Sequence, residues 1–512
     1  MRPIVLAAWL LLGGLFARAD VVEVLVLQTA DLHGAVGTPT LPDEGDWLRL
    51  LPTIHRLREA HGPDRTLLID CGDTCQGSAA ARTSAGAVGI AMLQRQQVDV
   101  WVPGNHDLDF GPAQLLRWCR ESGMPVLCGN LVLRPGRQCL AFPAWRCFER
   151  GGARIAVIGA TASYLRHWTG GTTARQIEVT TAAAVLDRVL PDILATEPDL
   201  VVLATHQGWL ESDPRQINEV NDLAQRYPEI DLILGAHTHR AIPGLRIGPT
   251  AWYVQPGALA THVAAVRARL DTAAHRVVEL SSELVPADAA PSLDPGPEIR
   301  AMLAKTAAEA GEVVCHLPAA IPCGGTPGVS CALSELLCRA LAEAADAEVV
   351  LHGTLGRSGL PAGPVTERDL FAIVPYENNV TLAELTTAEL EVVVAEQLAS
   401  RTSYVYSGLW GVEAAIVEGD AERPPGVRLG AADAPAPPPG KRWRVAMNSH
   451  TAGGAGGRFP LLVDILKRPR VRCRHTGIET RGAVRRYLQR HAGEPVEPRR
   501  WIRGRLAAFD RP

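Results

Sequence analysis

Lysine is almost missing from this 512-residue chain: only Lys305, Lys441 and Lys467 stand among its 51 lysines and arginines. A bias of that kind follows genomic base composition and points to no function. An excess of either charge is missing as well, and the net charge of −4 excludes a surface built to coat nucleic acid. No internal repeat of fixed period is present, which excludes a solenoid or a propeller. No apolar run reaches the ~20 residues that a helix needs to cross a bilayer; the longest, Pro3 to Phe16, is too short. What remains is an ordinary folded composition, 47% apolar and 21% charged, with more residues than one hydrophobic core holds and enough for two domains.

The first residues, MRPIVLAAWLLLGGLFARAD, carry one arginine, an apolar stretch and then Ala17-Arg18-Ala19. That A-x-A ending is a signal-peptidase pattern, so the expectation is an exported protein, periplasmic or extracellular after cleavage near Ala19. No cysteine follows Ala19, which argues against a lipoprotein. Eleven cysteines in an exported chain permit disulfides, and the odd count leaves at least one unpaired. Cys71 and Cys75 flank Asp73; a disulfide and two small packing residues are both open readings.

Short apolar runs recur from residue 21 to about 265: VVEVLVLQ, RTLLID, VDVWVP, RIAVIGA, DLVVLAT, IDLILGA and TAWYVQ. Their length and Val/Ile/Leu content predict strands buried on both faces, and intervening stretches such as EGDWLRLLPTIHRLREAHG have helical apolar spacing. An α/β core of packed layers follows. The segment 284–299, LVPADAAPSLDPGPEI, is rich in Pro, Ala and Asp and reads as a linker. The expected divisions are a signal peptide (1–19), a first domain (20–283), the linker and a second domain (300–512). That last part is expected to hold helices near TAAEAGEVV, SELLCRALAEAADA and TTAELEVVVAEQLAS and strands at EVVLHG and RWRVAMNSH.

Five of the strand-like runs deliver His, Asp or Asn at their C-terminal ends. They lead into Asp31-Leu32-His33, Cys71-Gly72-Asp73, Gly104-Asn105-His106, His206-Gln207-Gly208 and His237-Thr238-His239. In open α/β sheets that edge is where ligands bind. Each fragment alone reads as a turn residue satisfied by its own loop, but that reading would have to hold independently five times. Asp31, His33, Asp73, Asn105, His206, His237 and His239 make seven candidate donors. One zinc-like ion takes about four ligands, so seven suit two ions with a shared carboxylate, and Asp73 is the natural bridge. Mixed imidazole, carboxylate and amide ligands favour Zn, Mn or Fe over Ca, and paired ions serve in-line displacement at phosphorus.

DLHG, GDTCQGS, GNHDLDFG, THQG and GAHTH, in this order, resemble the calcineurin-like metallophosphoesterases, and among them the exported 5′-nucleotidase / UDP-sugar hydrolase / 2′,3′-cyclic-nucleotide phosphodiesterase family. The resemblance covers essentially the whole mature chain. It implies a four-layer α+β core, its sheets flanked by helices, followed by an α/β C-terminal substrate-binding domain. It implies one metal held by Asp31, His33, Asp73 and His239, and another by Asp73, Asn105, His206 and His237. His106 then stabilises charge on the phosphoryl group, paired with Asp109, a role that agrees with placing a cation beside the developing charge and a carboxylate behind the imidazole. Asp107 stands where the family often has Glu and is given no catalytic role. A helix-start carboxylate is the alternative reading of Asp109.

The second domain resembles the family's nucleotide-binding domain less cleanly. FAIVPYENNVTLAEL matches its PF-x-N stretch, with Tyr376 for Phe and Asn378 in the Asn position. Arg357 keeps the place of an arginine that contacts substrate, while His352 replaces an Asn. A base-stacking ring falls at Tyr404 or Tyr406. The other falls at His450, where an aromatic is usual, and Ala455 or Gly456 stands where many nucleotidases have Asp. The expected function is hydrolysis of nucleotide phosphate esters with two divalent ions. A 2′,3′-cyclic-nucleotide phosphodiesterase/3′-nucleotidase and a UDP-sugar hydrolase are alternatives within that chemistry. A metal-containing binding protein without turnover is an alternative from another class, and a thiosulfate-ester hydrolase fits less well. Partners are a small-molecule ester and no nucleic-acid polymer.

Overall fold

The computed structural model describes residues 21–37, 47–165, 171–211, 217–288, 293–356, 358–375, 378–402, 406–420, 423–430, 437–438, 440–455 and 458–509. The signal-peptide segment expected at 1–19 lies outside them, as do Arg357, Tyr376, Tyr404 and Gly456. Among the described residues no helix is long and apolar enough to cross a membrane.

The apolar runs form strands. In chain order they are β1 (Val21–Thr29), β2 (Thr66–Asp70), β3 (Val100–Trp101), β4 (Trp145–Arg150), β5 (Ala153–Ala160), β6 (Leu200–Thr205), β7 (Leu232–Leu234), β8 (Ala241–Arg246), β9 (Trp252–Pro256), β10 (His262–Asp271) and β11 (Arg276–Pro286). One sheet has the order β11-β10-β1-β2-β3, the other β8-β9-β7-β6-β5-β4. β1, β2 and β3 are parallel neighbours, as are β5, β6, β7 and β9, so their C-terminal ends emerge together.

Successive side chains of a strand point to opposite faces, and both faces are covered here. Val24, Val26, Leu67, Ile69 and Val100 of the first sheet meet Ile155, Val157, Val202 and Leu234 of the second. On the first sheet's far side, Leu25, Leu27 and Leu68 pack on Trp47, Leu50 and Ile54 of the helix Trp47–His61. On the second sheet's far side, Ile158, Leu203 and Ile233 pack on Val185, Leu186 and Ile193 of the helix Ala182–Leu194. The result is helix, sheet, sheet, helix, the four-layer core expected. Each fully buried aliphatic in it contributes about 1.5–3 kcal/mol relative to exposure.

The linker reading at 284–299 meets regular structure at both ends: β11 continues to Pro286 and a helix begins at Pro297 and runs to Ala310. That helix ends earlier than TAAEAGEVV suggested, because Val313–Leu317 goes into a strand paired with Gly363–Thr366. The C-terminal part is centred on β12 (Val349–Leu351), β13 (Asn379–Thr386), β14 (Arg442–Asn448) and β15 (Arg474–Glu479), in the order β12-β14-β13-β15. Val349, Leu351, Leu385 and Met447 pack on Leu390, Val393 and Leu398 of the helix Thr387–Ala399. Thr386 and Glu389 start that helix with a capping box. Val350, Leu382 and Ala446 face Leu341 of the helix Ala332–Ala345. The two parts touch through the helix Ala79–Thr83, where Thr83 Oγ1 donates to Glu309 Oε2 at 3.0 Å and Arg82 lies 3.4 Å from Glu479.

All eleven cysteines are free thiols. A Cys71–Cys75 bridge is ruled out by their surroundings. Cys71 lies in the core between the sheets, while Cys75 lies on the other side of the first sheet among the helices.

Candidate metal centre

The polar ends of β1, β2, β3, β6 and β7 meet at one edge of the sandwich, three contributed by the first sheet and two by the second. Asp31, His33 and His239 form one cluster whose ligand atoms all lie within 4.8 Å of one another; Asp73, His206 and His237 form a second. Asn105 joins the second, its Oδ1 3.2 Å from His206 Nε2. The two are contiguous: His206 Nε2 is 3.1 Å from Asp73 Oδ2 and 4.0 Å from Asp31 Oδ1, and His239 Nε2 is 3.8 Å from Asp31 Oδ1. All seven donors expected from sequence are therefore together.

Five of the seven adopt left-handed backbone: Asp31 (φ 51°), His33 (50°), Asp73 (53°), His237 (72°) and His239 (56°). Such conformations cost of order 1–3 kcal/mol each for residues with a Cβ and persist where the surroundings impose them. Here they turn two residues of each D-x-H and H-x-H pair back toward the same point. The His237 amide also donates to both oxygens of Asp31 at 3.0 Å, tying β7 to β1.

Glycines make the approach possible. A Cβ on Gly104 would stand 2.3 Å from Asp73 Oδ1 and 2.8 Å from His206 Cε1; one on Gly72 (φ 88°) would stand 2.3 Å from Gly104 N. Gly104→Ala is therefore expected to push the loop after β3 off Asp73. The expected loss is about 1–3 kcal/mol from overpacking, together with reduced metal uptake, read by thermal denaturation and by metal analysis after dialysis.

The chemistry of the donors calls for cations. His33 Nδ1 faces Gln76 O at 2.8 Å and His206 Nδ1 faces Cys71 O at 2.7 Å. A carbonyl only accepts, so each Nδ1 carries hydrogen and each Nε2 is the ring nitrogen turned inward. His33 Nε2 then lies 3.0 Å from His239 Nε2. Two ligands of one ion, each ~2.1 Å from it, stand about 3–4 Å apart, and these separations fit.

Electrostatics favour the neutral ring at three of the four imidazoles. Burial, then repulsion from His239, holds His33 down to about 3. Burial holds His239 to about 4, against the pull of Asp73, and burial with the nearby His206 takes His237 well below the ordinary range. Neutral imidazole is the form that binds metal. Burial would also lower His206, but the Asp73 and Asp31 charges hold it at about 9. Burial would raise Asp73, yet His206 and His106 keep its carboxyl well below the usual range. The Asp73 charge acts on all four imidazoles.

His106 opens a turn of 3-10 helix, His106–Leu108, with Asp109 just beyond it. Its Nδ1 lies 2.7 Å from Asp109 Oδ2, so Asp109 serves the imidazole; the helix that follows begins at Pro112 with Gly111 as its cap. Burial works against a charge on His106, and Asp109 and Asp73 override it to give about 10. Asp107 is not a bystander. It is fully buried, and its carboxylate accepts the backbone N–H groups of Asp73, Thr74, Cys75 and Gly104 at 2.8–3.0 Å. Nothing in the spacing of GNHDLDFG distinguishes this residue from a solvated one.

The C-terminal residues are placed less uniformly. His450 is exposed at the start of the short helix Ser449–Ala452, and its imidazole is held to about 4 by the enclosing protein and then by the charges of His106 and Arg458. Asn378 is 8% exposed, its Oδ1 accepting from Ser449 Oγ and its carbonyl from Thr480. Tyr406, expected as a stacking ring, is instead packed in the C-terminal core beside Leu351 and Leu409, because the chain entering Ser407 is pinned to Gln397. Of the two tyrosines, only Tyr404 is left for stacking, and it lies outside the described residues, as does Arg357. His352 is fully buried, Nδ1 on Gly353 O at 2.7 Å, and shapes the turn from within.

Comparison with known proteins follows the same division. Residues 24–241 match the calcineurin-like phosphoesterase family and residues 313–464 the 5′-nucleotidase C-terminal domain. Endonuclease YhcR of Bacillus subtilis is 23% identical over 482 residues, 88% of this chain and 39% of that protein. A 5′-nucleotidase of Vibrio vulnificus is 25% identical over 227 residues, 43% of this chain and 41% of that protein. The chain thus spans about two fifths of the length of these curated relatives. Among solved structures, a candidate 5′-nucleotidase from Staphylococcus aureus has the same fold, with a TM-score of 0.78 at 19% identity over 94% of this chain and 99% of that one.

Proposed function

Since the chain belongs to the calcineurin-like phosphoesterases that carry a 5′-nucleotidase C-terminal domain, we propose that it is a two-metal hydrolase of nucleotide phosphate esters. The observation that carries this reading is the convergence of seven inward-facing donors, four of them imidazoles, on one sheet edge beside a His106–Asp109 pair. Asp31, His33, Asp73 and His239 would hold one divalent ion, and Asp73, Asn105, His206 and His237 the other; Zn, Mn and Fe suit the set. The ions when bound would supply Lewis-acid polarisation and activate water for in-line attack on phosphorus.

The chain's own residues do the rest. Asp109 fixes the His106 ring, which leaves Nε2 to face the phosphoryl group and to stabilise its developing charge or protonate the leaving oxygen. A pure binding protein has no need of that pair. His450 and the Asn378 loop would hold the part of the substrate that does not react, so that its binding orients phosphorus. A cyclic phosphodiester is a second reading within this chemistry, supported by His450 in place of an aromatic ring and by Ala455 where a carboxylate would bond a nucleoside. Export, with a signal peptide ending near Ala19, and division into domains at 20–283 and 300–512 complete the proposal.

The test is chelation followed by add-back. EDTA is expected to abolish turnover and Zn, Mn or Co to restore it. A panel of 5′-, 3′- and 2′,3′-cyclic nucleotides, UDP-glucose and bis(p-nitrophenyl) phosphate under saturating Mn identifies the ester. No hydrolysis of any of them would instead favour a metal-containing binding protein.

A further inference from the structure

We propose that Asp107 is a positioning residue of the metal centre, the anion around which the loop carrying Asp73 is folded. The inference rests on the two-metal reading and adds a residue to it. Asp107 Oδ2 accepts from Gly104 N at 2.8 Å and Asp73 N at 3.0 Å, and Oδ1 accepts from Thr74 N and Cys75 N, both at 2.9 Å. Three consecutive amides aimed at one carboxylate form an anion-binding nest, and the nest begins at Asp73, whose φ of 53° places it in the left-handed region. The bond is returned from the other loop: Asp73 Oδ1 accepts from His106 N at 2.7 Å. The loops after β2 and β3 are thus joined by backbone-to-carboxylate bonds running in both directions, and the side chains at their tips are Asp73, Asn105 and His106.

A second carboxylate braces the same loop from its other side. Asp70 Oδ1 accepts from Thr74 Oγ1 at 2.7 Å and Gly72 N at 3.1 Å, and Oδ2 accepts from Thr29 Oγ1 at 2.7 Å. Thr74 is therefore held by Asp107 through its amide and by Asp70 through its hydroxyl. That leaves the Asp73 carboxylate little freedom except to point at the imidazoles. The bonds from Asp107 to the Gly104, Asp73, Thr74 and Cys75 N–H groups are to backbone, so Asp107 acts through Asp73. A neutral amide at 107 would keep the shape but present N–H groups to two of the four donors.

The experiment compares metal affinity with stability. Apoprotein is titrated with Mn²⁺ and with Zn²⁺ by calorimetry, and bound metal is counted after equilibrium dialysis, for wild type, Asp107→Asn and Asp107→Ser. Ile193→Ala, in the opposite helical layer, serves as a destabilised control. Both Asp107 variants are expected to fold and to bind metal about 10–100-fold more weakly, the usual effect of removing a partner that orients a ligand. Ile193→Ala is expected to lose Tm with metal Kd unchanged. The inference is overturned by a folded Asp107 variant whose Kd lies within twofold of wild type, by neither variant folding, or by the control weakening metal binding equally. A wild-type protein that takes up neither metal would overturn the two-metal reading and this inference with it. Tight wild-type binding beside unaltered Asp107 variants overturns the inference alone.

Discussion

Asp73→Ala is expected to empty both metal positions and to lower kcat/KM by at least about 10³-fold, since metal ions acting on a phosphoryl oxygen supply several kcal/mol. The argument lies in what surrounds Asp73. Its Oδ2 stands 3.1 Å from His206 Nε2, and its charge is felt by all four imidazoles of the centre. Without it, three neutral rings and one buried carboxylate, Asp31, face each other with no shared anion between the two clusters. Asp73→Asn separates charge from shape: it keeps an acceptor for the His106 amide and is expected to fold while still losing metal. Metal analysis after dialysis is the measurement. A folded Asp73→Ala protein that retains two equivalents would refute the bridging assignment.

His106→Ala is expected to leave metal content intact and to lower kcat by about 10²–10⁴-fold, the range for an acid–base group. His106 supplies its backbone amide, and not its ring, to Asp73, so alanine preserves that bond. The ring's Nδ1 is committed to Asp109, and 27% of the side chain is exposed, at the mouth of the centre. A loss confined to kcat, with KM and metal stoichiometry unchanged, is the signature of a group that works on the transition state. Unchanged turnover would remove His106 from the mechanism.

Much of this was legible in the linear sequence because strands and their ends are local features. VVEVLVLQ, RTLLID and DLVVLAT are strands because Val, Ile and Leu runs of that length bury both faces. The His, Asp and Asn residues that follow them had to emerge at a common edge once those strands lay parallel. The pair His106–Asp109 came from the family resemblance, and a spacing of three residues on one helical turn agrees with it. Reading failed where the answer depended on what lay across space. Asp107 looks like any loop carboxylate until the loop after β2 brings four amides to it. Tyr406 looks like an available ring until the C-terminal core closes over it. Cys71 and Cys75 look like a pair until each is packed into a different hydrophobic cluster.

The sequence by itself determined the strands and the set of candidate donors, because both follow from residue type and short-range period, and the family resemblance singled out His106 and Asp109. Only the tertiary structure decided which carboxylate faces the imidazoles and which holds backbone. Asp73 and Asp107 are both buried acids at the ends of parallel strands, and no spacing rule separates them. The difference is direction: the left-handed turn at Asp73 aims one carboxylate at imidazoles, and the nest it creates captures the other.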